Sequence, residues 1–88
     1  MRDPRSIMAR FFELPEEILL DLPKITVIGD AHVLIENHRG LVRFHPERVT
    51  VETTRGPFTV NGTDLQIASV DRETLSLTGV VRSLVWRG

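Results

Sequence analysis

The chain has 88 residues, 41% of them hydrophobic, with 11 basic and 12 acidic side chains for a net charge of −1. That length holds one domain with a small core, and the lack of any cysteine excludes disulfides, thiolate metal sites and cysteine nucleophiles. The interspersed charges lack the basic excess that phosphate contacts need, so nucleic acid is not an expected partner. No apolar run reaches the roughly 18 residues of a membrane span.

Residues 1–12 read as a flexible N-terminal arm, because Arg2, Asp3, Pro4 and Arg5 precede any regular apolar pattern. Residues 13–88 read as a single β-rich domain that opens with a short helix over 14–22. Pro15 suits the first helical position, Glu16 and Glu17 favour the helix dipole, and Ile18, Leu19 and Leu22 make one apolar stripe with Leu14 a turn earlier. Pro23 stops the helix by pushing Leu22 out of the α region. So short a helix cannot persist alone and must rest on the sheet.

Alternation of period two then takes over. Ile25–Ile28 predicts a strand ending at the Gly29-Asp30 turn, and His32–Glu36 the next, with Val33 and Ile35 on one face and His32, Leu34 and Glu36 on the other. Asn37-His38-Arg39-Gly40 reads as a turn. The strand after it puts Leu41, Arg43 and His45 on one side and Val42 and Phe44 on the other, and Pro46-Glu47 breaks it. Val49 and Val51 point inward, Thr54-Arg55-Gly56 makes a hairpin loop, and Phe58 and Val60 carry the inward face of the return strand. Asn61-Gly62 reads as a turn, with a further strand from Leu65 to about Val70. After the Asp71–Thr74 turn a long strand runs to Trp86, and its apolar phase shifts near Gly79, the mark of a bulge or bend.

About seven strands with short links predict an antiparallel meander. It forms a barrel or a two-sheet sandwich with the helix plugging one end, and a short β-solenoid-like stack is the alternative.

Little in this pattern carries chemistry. In a meander His32 and His45 fall on neighbouring strands within reach of a shared ligand, with His38 between them. A zinc site needs three or four ligands, so Glu36 or Glu47 would have to complete it, and surface or half-buried histidines are the simpler reading. No metal or cofactor is expected. Ser69, Ser76 and Ser83 lack a nucleophile-elbow setting, there is no phosphate loop, and no catalytic residues are assigned. Leu34, Leu84, Trp86 and the other apolar residues of their parity exceed what one small interior holds, so either the helix and a second sheet bury both faces or part of this apolar surface meets a partner. All basic residues but Lys24 are arginine, which favours pairing with carboxylates, although a GC-rich genome gives the same bias.

Leu22-Pro23-Lys24-Ile25-Thr26, Ile35-Glu36-Asn37-His38-Arg39-Gly40, Asn61-Gly62 with Leu65, and the ending Gly79 and Ser83-Leu84 are distinctive turn and strand words. Through them the stretch from Glu13 to Trp86 resembles the YabP/YqfC family of sporulation proteins, and within it the YqfC branch. The resemblance implies a small β-rich protein made in the mother cell of endospore-forming bacteria, with no catalytic residue to carry over. The expectation is a non-enzymatic factor working by protein–protein contact or self-assembly in spore envelope or coat formation. It would be cytoplasmic in the mother cell, peripheral at the forespore membrane, a homo-oligomer or the partner of a membrane-associated sporulation protein. The alternative is a small-barrel module binding nucleic acid or a small ligand through Arg39, Arg43 and Arg82. Candidate interaction residues are His38 and Arg39, which turn geometry leaves unexplained, with Arg43, Leu34, Leu84 and Trp86.

Overall fold

The computed structural model describes residues 20–86. The arm over 1–12 and most of the expected helix lie outside them; Leu20 and Asp21 form a turn. Six strands follow: β1 (Lys24–Ile28), β2 (His32–Glu36), β3 (Gly40–His45), β4 (Arg48–Glu52), β5 (Phe58–Val70) and β6 (Thr74–Trp86). They make one antiparallel sheet in the order β1-β2-β6-β5-β4-β3. The sheet is open, with β1 and β3 at its edges, so the chain is neither a closed barrel, nor two separate sheets, nor a stack of repeats.

Two sequence expectations change for physical reasons. Asn61-Gly62 is not a hairpin turn. It lies inside β5, where Asn61 pairs with Ser83 and Gly62 with Val81. Glycine is needed there for closeness, because a Cβ would run into the Val80 carbonyl oxygen and meet Leu65 Cδ2 at 3.0 Å. The apparent turn and its flanking strands therefore fuse into one strand of 13 residues, leaving six strands. Nor does Asn37–Gly40 join sheet neighbours. It carries the chain from β2 to β3, which three other strands separate.

That crossover fixes the shape of the molecule. The Asn37 and His38 amides donate to the Glu73 carbonyl at 2.7 and 3.3 Å, and the Arg39 amide donates to the Glu52 carbonyl at 2.7 Å. Glu73 lies at the closed end of the β5–β6 ribbon, and Glu52 lies near its open end. A straight strand of this length would hold those ends about 40 Å apart, yet three residues of chain span about 10 Å. The ribbon must bend.

The bend sits where the ladder is irregular. β6 has an extra residue at Arg82, and β5 has one between Thr63 and Gln66 and another at Ala68. Each insertion turns the following side chains over. Phe58 and Val60 thus share a face with Leu65 and Ile67 despite opposite parity, and Leu75 and Leu77 share it with Leu84 and Trp86. The expected phase shift in the last strand exists, but it falls at Arg82. Gly79 has another task. It adopts φ +134°, and a Cβ there would lie 2.6 Å from the Asp64 carbonyl oxygen and 2.9 Å from Leu65 Cα.

One core results. Val33, Ile35, Leu75 and Leu77 come from one half of the sheet, Val49, Val51, Phe58 and Val60 from the other, and Leu65 from the bend; none is more than 1% exposed. Each such side chain contributes about 1.5–3 kcal/mol relative to exposure.

The bend yields a direct test. Gly79→Ala should cost about 2–3 kcal/mol, since it meets both a disallowed φ and backbone it cannot push aside. Gly29→Ala has φ +55° but open space around it and should cost about 1 kcal/mol. Urea unfolding should place the Gly79→Ala midpoint clearly below that of Gly29→Ala; equal midpoints would contradict the bend.

Candidate functional site

His38 and Arg39 sit in the crossover and are used internally. Asn37 takes a left-handed conformation, φ 64°, which asparagine tolerates. Its Nδ2 donates to Asp21 Oδ1 and to the Leu22 carbonyl, both at 3.1 Å. Arg39 Nη2 reaches the two Asp21 carboxylate oxygens at 2.9 and 2.8 Å. Thr54 Oγ1 donates to the Asp21 carbonyl at 2.7 Å. Asp21, which sequence reasoning passed over, is thus the shared anchor of the crossover and the β4–β5 loop. The Arg39–Asp21 pair is half open to solvent, 49% and 61% exposed, so it contributes at most about 1 kcal/mol.

His38 is 4% exposed. Its Nδ1 accepts from the Gly40 amide at 3.0 Å, so Nε2 carries the hydrogen and donates to the Asp71 carbonyl at 3.1 Å. One ring thereby ties the crossover to the β5–β6 turn. That turn is held by Asp71, whose Oδ1 accepts from the Glu73 amide at 3.0 Å and the Thr74 amide at 2.8 Å. The hydrogen bonds from Glu73 and then Thr74 hold the carboxyl below its ordinary 3.8 against the opposing effect of desolvation, with the smallest lowering from His38.

The other histidines are dispersed. His32 bonds Ser76 Oγ at 2.7 Å, and His45 Nδ1 accepts from the Glu47 amide at 3.1 Å. The expectation that His32 and His45 lie on neighbouring strands fails, because β2 and β3 are not neighbours. No group of three or more His, Cys, Asp or Glu among the described residues is arranged to hold a metal ion.

The apolar candidates divide by face. Leu34 is half-buried, beside Thr26 and Ser76 on the side away from the core. Leu84 and Trp86 lie on the core side, paired with Val60 and Phe58, and the Phe58 and Trp86 rings are 4.5 Å apart at 51°. A bulge in β3 between Leu41 and Arg43 corrects the expected faces of that strand. Leu41 and Phe44 share the core side, opposite Val51 and Val49, and Arg43 turns outward opposite Thr50. Phe44, which the sequence reading did not single out, lies on the core side yet is 45% exposed at the sheet edge.

Among the described residues both edge strands lack a further strand partner, and both carry exposed apolar side chains. β1 carries Val27 and Ile28, at 42% and 63%, and β3 carries Leu41, Val42 and Phe44, at 40%, 61% and 45%. On the outer face between β3 and β6 lies an open groove of ≈ 480 Å³, lined by Val42, Arg43, Arg48, Thr50, Thr59 and Asn61 among others.

These features define a small all-β protein with an open single sheet, exposed apolar edges and an arginine-lined groove. Residues 21–88 match the YabP family model, and the chain belongs to this YabP/YqfC family. It is 34% identical over 77 residues to the Bacillus subtilis (strain 168) protein named uncharacterized protein YqfC, covering 88% of this chain and 83% of that one.

The Asp71 turn predicts a pH dependence. A carboxyl whose pKa is lowered by folding stabilises the folded state above its unfolded value, and the contribution is lost as pH falls through the lowered value. Asp71→Asn should therefore unfold at lower urea than the parent at pH 7. The gap should narrow as pH drops below 3.8, and a gap constant down to pH 2 would show that the charge has no role.

Proposed function

We propose that this chain is a non-enzymatic sporulation protein that works by protein–protein contact, assembling with itself and with a membrane-associated partner during spore envelope or coat formation. Membership of the YabP/YqfC family supports the sporulation setting, in which the protein is made in the mother cell and stationed at the forespore membrane. Among the described residues no helix is long and apolar enough to cross a membrane.

The observation that carries the reading is the pair of edge strands that, among the described residues, have no further strand beside them. Edge strands offer unpaired amides and carbonyls, and proteins usually blunt them with charge, proline or a covering element. Here the blunting is partial: Lys24 on β1 and Arg43 and a bulge on β3 stand beside exposed Val27, Ile28, Leu41, Val42 and Phe44. The two edges differ in sequence, so joining one to the other is a head-to-tail contact, which builds open assemblies rather than closed dimers.

Light scattering across a concentration series should show growth of the parent chain beyond a monomer. Ile28→Lys with Phe44→Lys should hold the chain monomeric at the same concentrations, and in the native host it should reduce heat-resistant spores toward the level of a deletion at unchanged protein abundance. A parent that stays monomeric, together with a charged variant that sporulates normally, would sink the reading.

A further inference from the structure

The outer groove beside β3 is built unlike the rest of the surface. Its lining has two guanidinium groups, Arg43 and Arg48, and no carboxylate. Arg48 is held in place: its Nε donates to Asn61 Oδ1 at 3.2 Å, and Asn61 is fixed in turn by donating Nδ2 to Ser83 Oγ at 3.1 Å. This leaves the terminal nitrogens of Arg48 pointing their hydrogens elsewhere. Among the described residues Arg43 makes no ion pair. Glu47 lies in an adjoining hollow with both arginines and pairs with neither within ion-pair distance. The groove floor is polar but internally satisfied, with Thr50 and Thr59 hydroxyls 2.9 Å apart.

In a chain of net charge −1, this gathers two guanidinium groups in a groove that no carboxylate lines, with Glu47 alongside but unpaired to them. Guanidinium forks match carboxylates and phosphates equally in charge. The surroundings discriminate between them. The groove opens beside the free edge of β3, where backbone groups await a further strand, and Val42 and Val85 give it aliphatic walls. Arg43 and His45 lie two residues apart on β3, and Arg48 pairs with His45. Their spacing along the strand is about 7 Å, the repeat of same-face side chains on any strand laid alongside. The edge β1 cannot be that strand with charge complementarity, because its only charged residue is Lys24.

We propose that the β3 edge and its outer groove take an acidic, extended segment of another protein. That segment adds as a strand beside β3 and places carboxylates from two alternate residues on Arg43 and Arg48. This deepens the protein–protein reading by giving the heterologous partner a chemistry, an Asp/Glu-x-Asp/Glu strand, and it rests on that reading.

The test uses the full chain and a synthetic peptide, Thr-Val-Glu-Val-Glu-Thr, with a Gln-for-Glu copy. Amide shifts in nuclear magnetic resonance titration should move along residues 41–45 and at Arg48. The Gln copy should bind at least tenfold more weakly, as should Arg43→Gln with Arg48→Gln, and affinity for the Glu peptide should fall as salt rises. The same double variant leaves Ile28 and Phe44 intact, so its self-association should match the parent, which separates failure of this proposal from failure of the assembly reading. Equal binding of the Glu and Gln peptides, or undiminished binding by the double variant, overturns the proposal. So does binding to phosphatidylserine vesicles or oligouridylate with none to the peptide.

Discussion

The bend in the β5–β6 ribbon is the constraint on which the rest depends. A flat sheet of six strands has two faces and cannot bury either by itself. Folding the ribbon lets Val33, Ile35, Leu75 and Leu77 share a core with Val49, Val51, Phe58 and Val60. Two backbones must pass closely for this to happen, so Gly62 lies against the Val80 carbonyl and Gly79 against Asp64 and Leu65. The inserted residues near the bend turn the apolar face over at the moment the strand does, so the same face stays inside through the turn.

The crossover then locks what the bend brings together. Its backbone bonds to Glu73 and Glu52 join the two ends of the ribbon, and the His38 ring spans from Gly40 to the Asp71 carbonyl. Buried polar groups must be paired, and His38 meets that requirement with both ring nitrogens. The Asp21 carboxylate, Asn37 and Arg39 form an outer layer on the same junction, open to water and correspondingly weak. His38 and Arg39 therefore have an architectural role that turn geometry alone did not explain.

An open sheet leaves its consequences at the surface. Closure would have paired β1 with β3; instead, among the described residues, Ile28, Val42 and Phe44 stand on edge strands with no further strand beside them. The two sides of the second half differ sharply. The core side is aliphatic and aromatic out to Leu41, Phe44, Leu84 and Trp86, and the outer side carries Arg43, Arg48, Thr50, Thr59 and Asn61. Self-assembly through β3 and addition of an acidic strand there use the same edge and exclude one another, although the side chains that serve them differ.

Local strand identity was legible in the sequence, because period-two alternation reports which side of a pleat is dry. Val33 and Ile35, Val49 and Val51, and Phe58 and Val60 stand in the core as their spacing predicts. The Gly79 irregularity, the Asp71 turn and the family words were legible for the same reason: each is a short-range pattern. Neighbour order was not, since a three-residue link reads alike as a hairpin or as a crossover. Nor was the bulge at Val42, because one inserted residue changes every later face without leaving a compositional mark; the phase shift of the last strand was legible, but not its place at Arg82. The sequence by itself determined a mostly β chain with a defined set of core residues. Only the tertiary structure decided that Asn61-Gly62 continues a strand, that Phe44 turns to the core side, and that Arg43 and Arg48 meet in one groove. Those outcomes depend on which strands touch, and contact between distant residues is set by the global packing minimum.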